Sequence, residues 1–289
     1  SYQDLSPYIK QCFLHFSLKP KKTVINGTEI VSMWVGEGLV EGDTYSRSLE
    51  EGKKYYNDLI VRNLIEVHTD YPSQLICNMH DVIRSFAQFV ARDEALAAHL
   101  SGETNIFGKL SAHEFLRLSL ESNASELDGL DWSSLQAQKT LRALISVGCI
   151  NIKPGDSLVH FPSLRILHIN SAHVVALHES LHELKHLRYL SLINTDISSL
   201  PDSIGKMKFL QYISLHGCEQ FVKVPHSFVK LGLLRYLSFS GTSIEGIPKG
   251  FHALTNLRVL TGFPAQVDGD WCSLEELGPL SQLKHLELD

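Results

Sequence analysis

The sequence predicts an α/β chain in two parts: a small helical domain with one hairpin, then a curved solenoid with a parallel sheet along its concave side. Three observations carry this. The stretch Leu187-Arg188-Tyr189-Leu190-Ser191-Leu192 is rewritten from Leu210, Leu234 and Leu257, openings that stand 23, 24 and 23 residues apart. A fixed period in the twenties, apolar at positions one, four and six, marks stacked units that cannot bury their apolar faces alone. Ahead of the array, apolar residues recur at helical spacing as far as Ala91. The composition, 44% hydrophobic and 20% charged over 289 residues, is that of an ordinary folded chain with room for two domains.

In chain order, Leu5, Ile9, Cys12, Phe13 and Phe16 share one side of a first helix that ends before Pro20. Thr28 is placed to N-cap a second helix through Trp34, stopped near Gly36 and Gly38. Ser48 and Glu51 have capping-box spacing and open a third, which carries Tyr55, Leu59 and Ile60. Leu64 to His68 and Gln74 to Asn78 read as short strands around an Asp70-Tyr71-Pro72-Ser73 turn. His80 to Ala91 is a last helix with Val82, Ile83, Phe86 and Val90 on its apolar side. Three helices, a hairpin and a helix make a winged-helix domain, expected over residues 1–100, with Asp93 to Lys109 as the linker.

The solenoid is expected over residues 101–289. Weaker copies of the motif open at Phe115, Leu141, Leu164 and Leu283, and the copy from Leu283 is unfinished, so the domain is expected to be truncated at its C-terminal end. The second half of each unit repeats as well: Leu200-Pro201, Val224-Pro225 and Ile247-Pro248 are followed, three places after the proline, by Ile204, Phe228 and Phe251. This is the leucine-rich-repeat pattern. Side chains alternate along a strand, so Leu190 and Leu192 point into the core while Tyr189 and Ser191 point out. Such arrays present a long rigid surface, which makes recognition of a macromolecule their default role.

Aligned units put Ile166, Tyr189, Tyr212, Tyr236 and Val259 in one outward column, beside a second of His168, Ser191, Ser214, Ser238 and Thr261. Strands sit about 4.8 Å apart, so the tyrosines should stack. Tyr189, Tyr212, Tyr236, Ile166, Val259, His168 and His216 are the candidate partner-binding residues of the concave face, because exposed tyrosine is typical of binding surfaces. The alternative is a self-packed ladder that only stiffens the sheet. Arg142, Arg165, Arg188, Arg235 and Arg258, interrupted by Gln211, make one rim basic.

Other signals narrow the function. A net charge of −6 argues against general nucleic-acid binding. Asp81, Asp93 and Glu94 also offset Arg84 and Arg92 around the last helix. No apolar run approaches a membrane span, and Ser1 opens no signal peptide. Five dispersed cysteines suggest reduced thiols in the cytosol or nucleus. His178 to His182 and His182 to His186 both satisfy H-E-x-x-H. The leucines between those histidines keep the repeat's inward phase, so the histidines fall on a short outer segment and no metal is expected. Gly102 to Lys109 imitates a phosphate loop with one residue too many between its glycines and Leu110 where a hydroxyl should bind magnesium.

Cys12-Phe13-Leu14, the Ile30 to Val40 stretch, Tyr56-Asn57-Asp58-Leu59 and Met79-His80-Asp81, followed by the repeats, resemble the plant intracellular immune receptors of the coiled-coil, nucleotide-binding (NB-ARC), leucine-rich-repeat class of disease-resistance proteins. The resemblance runs through nearly the whole chain. It implies ADP-dependent autoinhibition through the winged helix, and sensing of a pathogen effector or modified host protein by the repeats. It implies that His80 contacts the ADP phosphates and that Asp81 holds the neighbouring backbone and inter-domain packing. It also implies contacts with an upstream nucleotide-binding domain, an oligomer on activation, and a cytoplasmic setting, with nuclear and peripheral-membrane settings as alternatives. The family's phosphate loop lies upstream of this segment. ADP or ATP is therefore expected in the parent protein but not held tightly here, and no catalysis is expected. The competing reading is a repeat scaffold that binds a protein with no nucleotide role.

Overall fold

A computed structural model of the 289-residue chain describes residues 1–19, 24–42, 45–68, 75–99, 106–122, 135–148, 160–174, 180–264 and 271–289. The first part is a winged helix: α1 (Pro7–His15), β1 (Ile25–Asn26), α2 (Gly27–Glu37), α3 (Tyr45–Val61), β2 (Glu66–Val67), β3 (Ile76–Asn78) and α4 (Asp81–Ala91). β2 and β3 pair antiparallel and β1 adds to the other edge of β3. Its core joins Cys12, Phe13 and Phe16 to Trp34, Tyr56 and Leu59, with the Phe16 ring edge-on to Trp34 at 5.7 Å.

Helix starts differ from the sequence expectation in two places. The α2 N-cap is Asn26, whose side-chain oxygen accepts from the backbone N–H of Thr28 (2.9 Å) and Glu29 (3.2 Å); Thr28 lies inside the helix. Asn competes for this position because its oxygen reaches two of the otherwise orphaned first-turn donors. α3 starts at Tyr45, so Ser48 sits within its first turn, buried, rather than capping it.

The second part begins earlier than expected. β4 (Ala95–His99) pairs parallel with β5 (Arg117–Ser122), so the early part of the expected linker is the first rung of the large sheet. α5 (Ile106–Ala112) follows. The segment escaped the repeat pattern because Ala95-Leu96-Ala97-Ala98 lacks the large alternating residues of the later strands. The sheet continues through β6 (Ala143–Gly148), β7 (Ile166–Asn170), β8 (Tyr189–Ile193), β9 (Tyr212–Ser214), β10 (Tyr236–Ser238), β11 (Val259–Phe263) and β12 (His285–Leu288), which makes nine parallel strands in sequence order among the described residues.

From β7 onward each unit turns back through a short 3-10 segment, and two of these follow the recurrent prolines: Asp202–Lys206 after Pro201 and His226–Lys230 after Pro225. Leu190, Leu192, Ile213, Leu215, Leu237 and Phe239 all lie in one continuous buried core. From β6 to β10 one residue per unit, at the end of the strand or just after it, takes a positive φ: Gly148, Ser171, Asn194, Gly217 and Gly241. At Gly217 the requirement is steric too, since an added Cβ would lie 2.1 Å from the Asn194 side-chain oxygen. No helix among the described residues is long and apolar enough to cross a membrane.

Candidate functional site: a winged helix docked on the concave sheet

The two parts are not beads on a string. α2 lies against β7 and β8, across the concave face. Leu18 and Met33 from the winged helix form one buried cluster with Ala143, Ile145, Ile166, Tyr189 and Tyr212. The approach is close: a Cβ added to Gly36 would stand 3.3 Å from Cβ of Tyr189. α2 is apolar on nearly every side, through Ile30, Val31, Met33, Trp34 and Val35, as a helix buried on both sides must be.

Glu29, Met33 and Glu37 recur at four-residue spacing and so share one stripe of α2. Each meets the repeats differently. Met33 supplies apolar contact. Glu29 lies 3.1 Å from Lys19 Nζ and 3.9 Å from His168 Nδ1 of β7. Glu37, with its side chain fully buried, accepts from Arg117 Nε of β5 at 2.7 Å, and His15 Nε2 of α1 lies 3.3 Å from its other oxygen. Arg117 also donates to Gln11 Oε1 at 3.1 Å and lies 3.6 Å from the Glu94 carboxylate. The Arg165 guanidinium donates to the Glu37 backbone carbonyl, at the negative end of the helix dipole.

Burial alone would raise both carboxyls. For Glu37 the nearby His15 and Arg117 outweigh it, and for Glu29 Lys19 and His168 do, so both stay below the usual carboxylate value. Burial also depresses the histidines: His15 is lowered, and His168 is pushed down to about 4. At neutral pH the dock therefore joins two carboxylates to Arg117 and Lys19 while both histidines stay neutral.

This corrects the concave-face expectation. Ile166, Tyr189, Tyr212 and His168 point out of the repeat core as expected, yet they are buried, because the chain's own winged helix covers them. The tyrosine ladder does form: Tyr189, Tyr212 and Tyr236 stack with centroids 4.2 and 4.1 Å apart and planes within 11° and 6°. Tyr236 and Val259 are half-buried at the edge of the dock, and His216 is exposed in the turn after β9. The residues that sequence reasoning missed are Glu29, Glu37, His15, Lys19 and Arg117. One signal was available: a largely apolar helix whose only charged residues are two acids on a single stripe.

His80 and Asp81 stand at the start of α4, both exposed. His80 N-caps α4, its Nδ1 accepting from the Val82 N–H at 3.3 Å. In the neutral ring this leaves Nε2 as the protonated nitrogen, a free donor. The face of α4 expected to be buried is largely open: Val82, Phe86 and Val90 are exposed, while Arg84, Ala87 and Ala91 face the core. Arg84 donates to the Lys19 carbonyl, which ties α4 to the segment carrying Lys19.

His178 and Glu179 lie outside the described residues, as do Gly102 to Asn105 of the loop-like stretch. His182 sits on the 3-10 turn Leu181–Glu183, 3.1 Å from Glu183, and His186 stacks on Phe209. Among the described residues no cluster of three His, Cys, Asp or Glu could hold a metal ion. Cys12, Cys77, Cys218 and Cys272 are buried free thiols.

A family model described as the disease resistance protein winged helix domain matches residues 18–87, and one described as a leucine-rich repeat region matches residues 140–289. The chain belongs to the plant disease-resistance proteins. It is 29% identical over its full length to "Disease resistance RPP13-like protein 4" of Arabidopsis thaliana, of which it covers 34%. Against "Putative disease resistance protein At1g58400" of the same plant it is 26% identical over its full length, covering 32% of that protein. The chain thus spans about a third of the length of these curated relatives. An internalin from Listeria monocytogenes aligns with 70% of this chain and 62% of its own at 18% identity and a TM-score of 0.45.

Proposed function

We propose that the winged helix, seated on the concave sheet, holds this disease-resistance protein in a closed resting state that ADP favours, and that the repeats sense a pathogen effector or modified host protein. The observation that supports this is the burial of the central concave column under α2 by the same chain. A surface suited to recognition is occupied from within, so a ligand that binds it, or its flanks, must compete with the dock. Such a ligand shifts the equilibrium only through its differential affinity for the open state. In this reading the 289-residue chain binds and switches rather than performing chemistry of its own.

His80 fits a phosphate contact in the parent protein. It is exposed at a helix N-terminus, and its cap leaves Nε2–H as a donor. Asp81 begins the same helix, and the exposed apolar side of α4 is where an upstream nucleotide-binding domain would pack. From His80 the connection to the dock runs through α4 to Arg84, then Lys19, Glu29 and His168. ADP bound at His80 would then steady the segment that holds Glu29 against β7, and activation would release both, freeing the protein to oligomerise in the cytoplasm.

The test is in the full-length receptor. A hydrogen bond to a charged group is worth about 1.5–3 kcal/mol, so His80→Ala should speed ADP release by roughly ten- to a hundredfold. Arg117→Glu, which places like charge against Glu37, should give ligand-independent cell-death signalling without touching the nucleotide. An unchanged ADP off-rate for the first would remove the nucleotide role. A silent receptor for the second would remove the inhibitory role of the dock.

A further inference from the structure

One edge of the repeats, where the units turn into their strands, is both apolar and basic. A two-residue turn joins each 3-10 segment to the next strand: Lys185-His186 ahead of β8, Lys208-Phe209 ahead of β9 and Gly232-Leu233 ahead of β10. His186, Phe209 and Leu233 stand three residues before Tyr189, Tyr212 and Tyr236, and those tyrosines pair in register. The three turn residues therefore form one row across the units. The His186 and Phe209 rings stack with centroids 6.1 Å apart. All three residues are exposed, Phe209 at 45% and Leu233 at 39%. Apolar side chains exposed in a contiguous row, rather than singly, mark a contact surface. Cations border the row. Lys185 and Lys208 belong to the same turns, and Lys206 and Lys230 end the 3-10 segments just before them. All four are exposed. Residues 181–186, 202–209 and 226–233 carry these four lysines against two acids, Glu183 and Asp202, in a chain of net charge −6. Glu183 lies 3.1 Å from His182. Among the described residues none of the four lysines joins an ion pair.

We propose that this edge docks on an anionic membrane surface. Phe209 and Leu233 enter the boundary between headgroups and acyl chains, and the lysine ammoniums stay with the lipid phosphates and carboxylates. The charge is complementary, and it is concentrated on one edge of an otherwise acidic chain. The spacing favours lipid over an extended acidic peptide. The rungs repeat at about 4.8 Å while a peptide strand advances about 3.3 Å per residue, so a peptide laid along the row loses register within a few rungs. Lipids that diffuse laterally have no register to match. No helix among the described residues is long and apolar enough to cross a membrane, so the association is peripheral. The proposal rests on the repeats alone, and depends neither on the dock nor on His80.

Co-sedimentation of the 289-residue chain with phosphatidylcholine vesicles, with and without phosphatidylserine, tests it. Binding is expected only where phosphatidylserine is present, and it should weaken as ionic strength rises. Lys208→Ala should weaken it about fivefold, the share of one lysine near an anionic surface. Phe209→Ser should weaken it about tenfold with every lysine in place. Leu233→Trp should tighten it while far-UV circular dichroism stays native, since tryptophan favours the membrane interface. Lys223 is exposed on the outgoing side of the same unit, bridged to Ser199, so Lys223→Ala should leave binding unchanged. Equal losses from Lys223→Ala and Lys208→Ala would overturn the proposal, because binding would then follow net charge and not this edge. So would sedimentation indifferent to phosphatidylserine, or unaltered by both Lys208→Ala and Phe209→Ser. Binding to polyglutamate without binding to the vesicles would overturn it in favour of an acidic protein partner.

Discussion

The Glu37 side chain is fully buried. Its charge is held by Arg117, with His15 alongside, in a site closed by two domains. Removing one partner of a buried pair strands the other charge, at a cost of about 3–5 kcal/mol. Arg117→Ala should therefore lower the stability of this chain by about that amount in urea titrations. Arg117→Ala combined with Glu37→Gln should recover a large part of it. If the double variant is no better than the single one, the pair is not coupled as the 2.7 Å contact indicates. His168 gives a second prediction. Its folded pKa, about 4, lies below the ordinary histidine value, so the folded state binds fewer protons than the unfolded state between about pH 6.5 and 4. Stability contributed by the neutral ring is complete above that window and is lost as pH falls through it, on the order of 2 kcal/mol by pH 5. His168→Gln should flatten the melting temperature between pH 7.5 and 5; an unaltered slope would assign the effect to other groups.

At the scale of elements, neighbouring residues of β9 answer to different packings. Ile213 faces the repeat core and is fully buried. Ile213→Ala should cost roughly 2–5 kcal/mol as a core truncation and weaken the array itself. Tyr212 is nearly as buried, but between two stacked tyrosines and beneath the winged helix. Tyr212→Ala should leave the array's circular dichroism intact and instead raise amide hydrogen exchange in α2. Loss of the array as severe as that of Ile213→Ala would make the ladder a stiffener of the sheet. The same distinction explains α4. Its apolar periodicity was plain in sequence, yet the face that lies inward carries Arg84, Ala87 and Ala91. Periodicity identifies a face; it does not say which neighbour covers it.

For the whole molecule, the dock makes one measurable demand. Tyr189 and Tyr212 should resist nitration by tetranitromethane in the native chain, since neither is accessible. Met33→Asp places a carboxylate in the apolar centre of the contact and should render both reactive while the two domains stay folded. Protection that survives this change would show that the ladder is shielded by the repeats alone.

How much of this was legible follows from the range of each interaction. Repeat phase, strand direction, the proline turns and the inward leucines are set by residues within one or two units of each other. A period written in the sequence was enough to find them. Capping was harder: Asn26 and Thr28 are both capable acceptors two residues apart, and only the chain's entry from β1 selects Asn26. β4 was hidden because its small side chains carry little pattern, and its place depends on pairing with β5 across residues 100–116. The sequence by itself determined the two domain types, the family and the tyrosine column. Only the tertiary structure decided that the column is covered from within. Glu37 and Arg117 are far apart in the chain, and each alone reads as an ordinary surface charge. Desolvation by the facing domain turns them into an obligatory pair, and desolvation is a property of the assembled surfaces rather than of either segment.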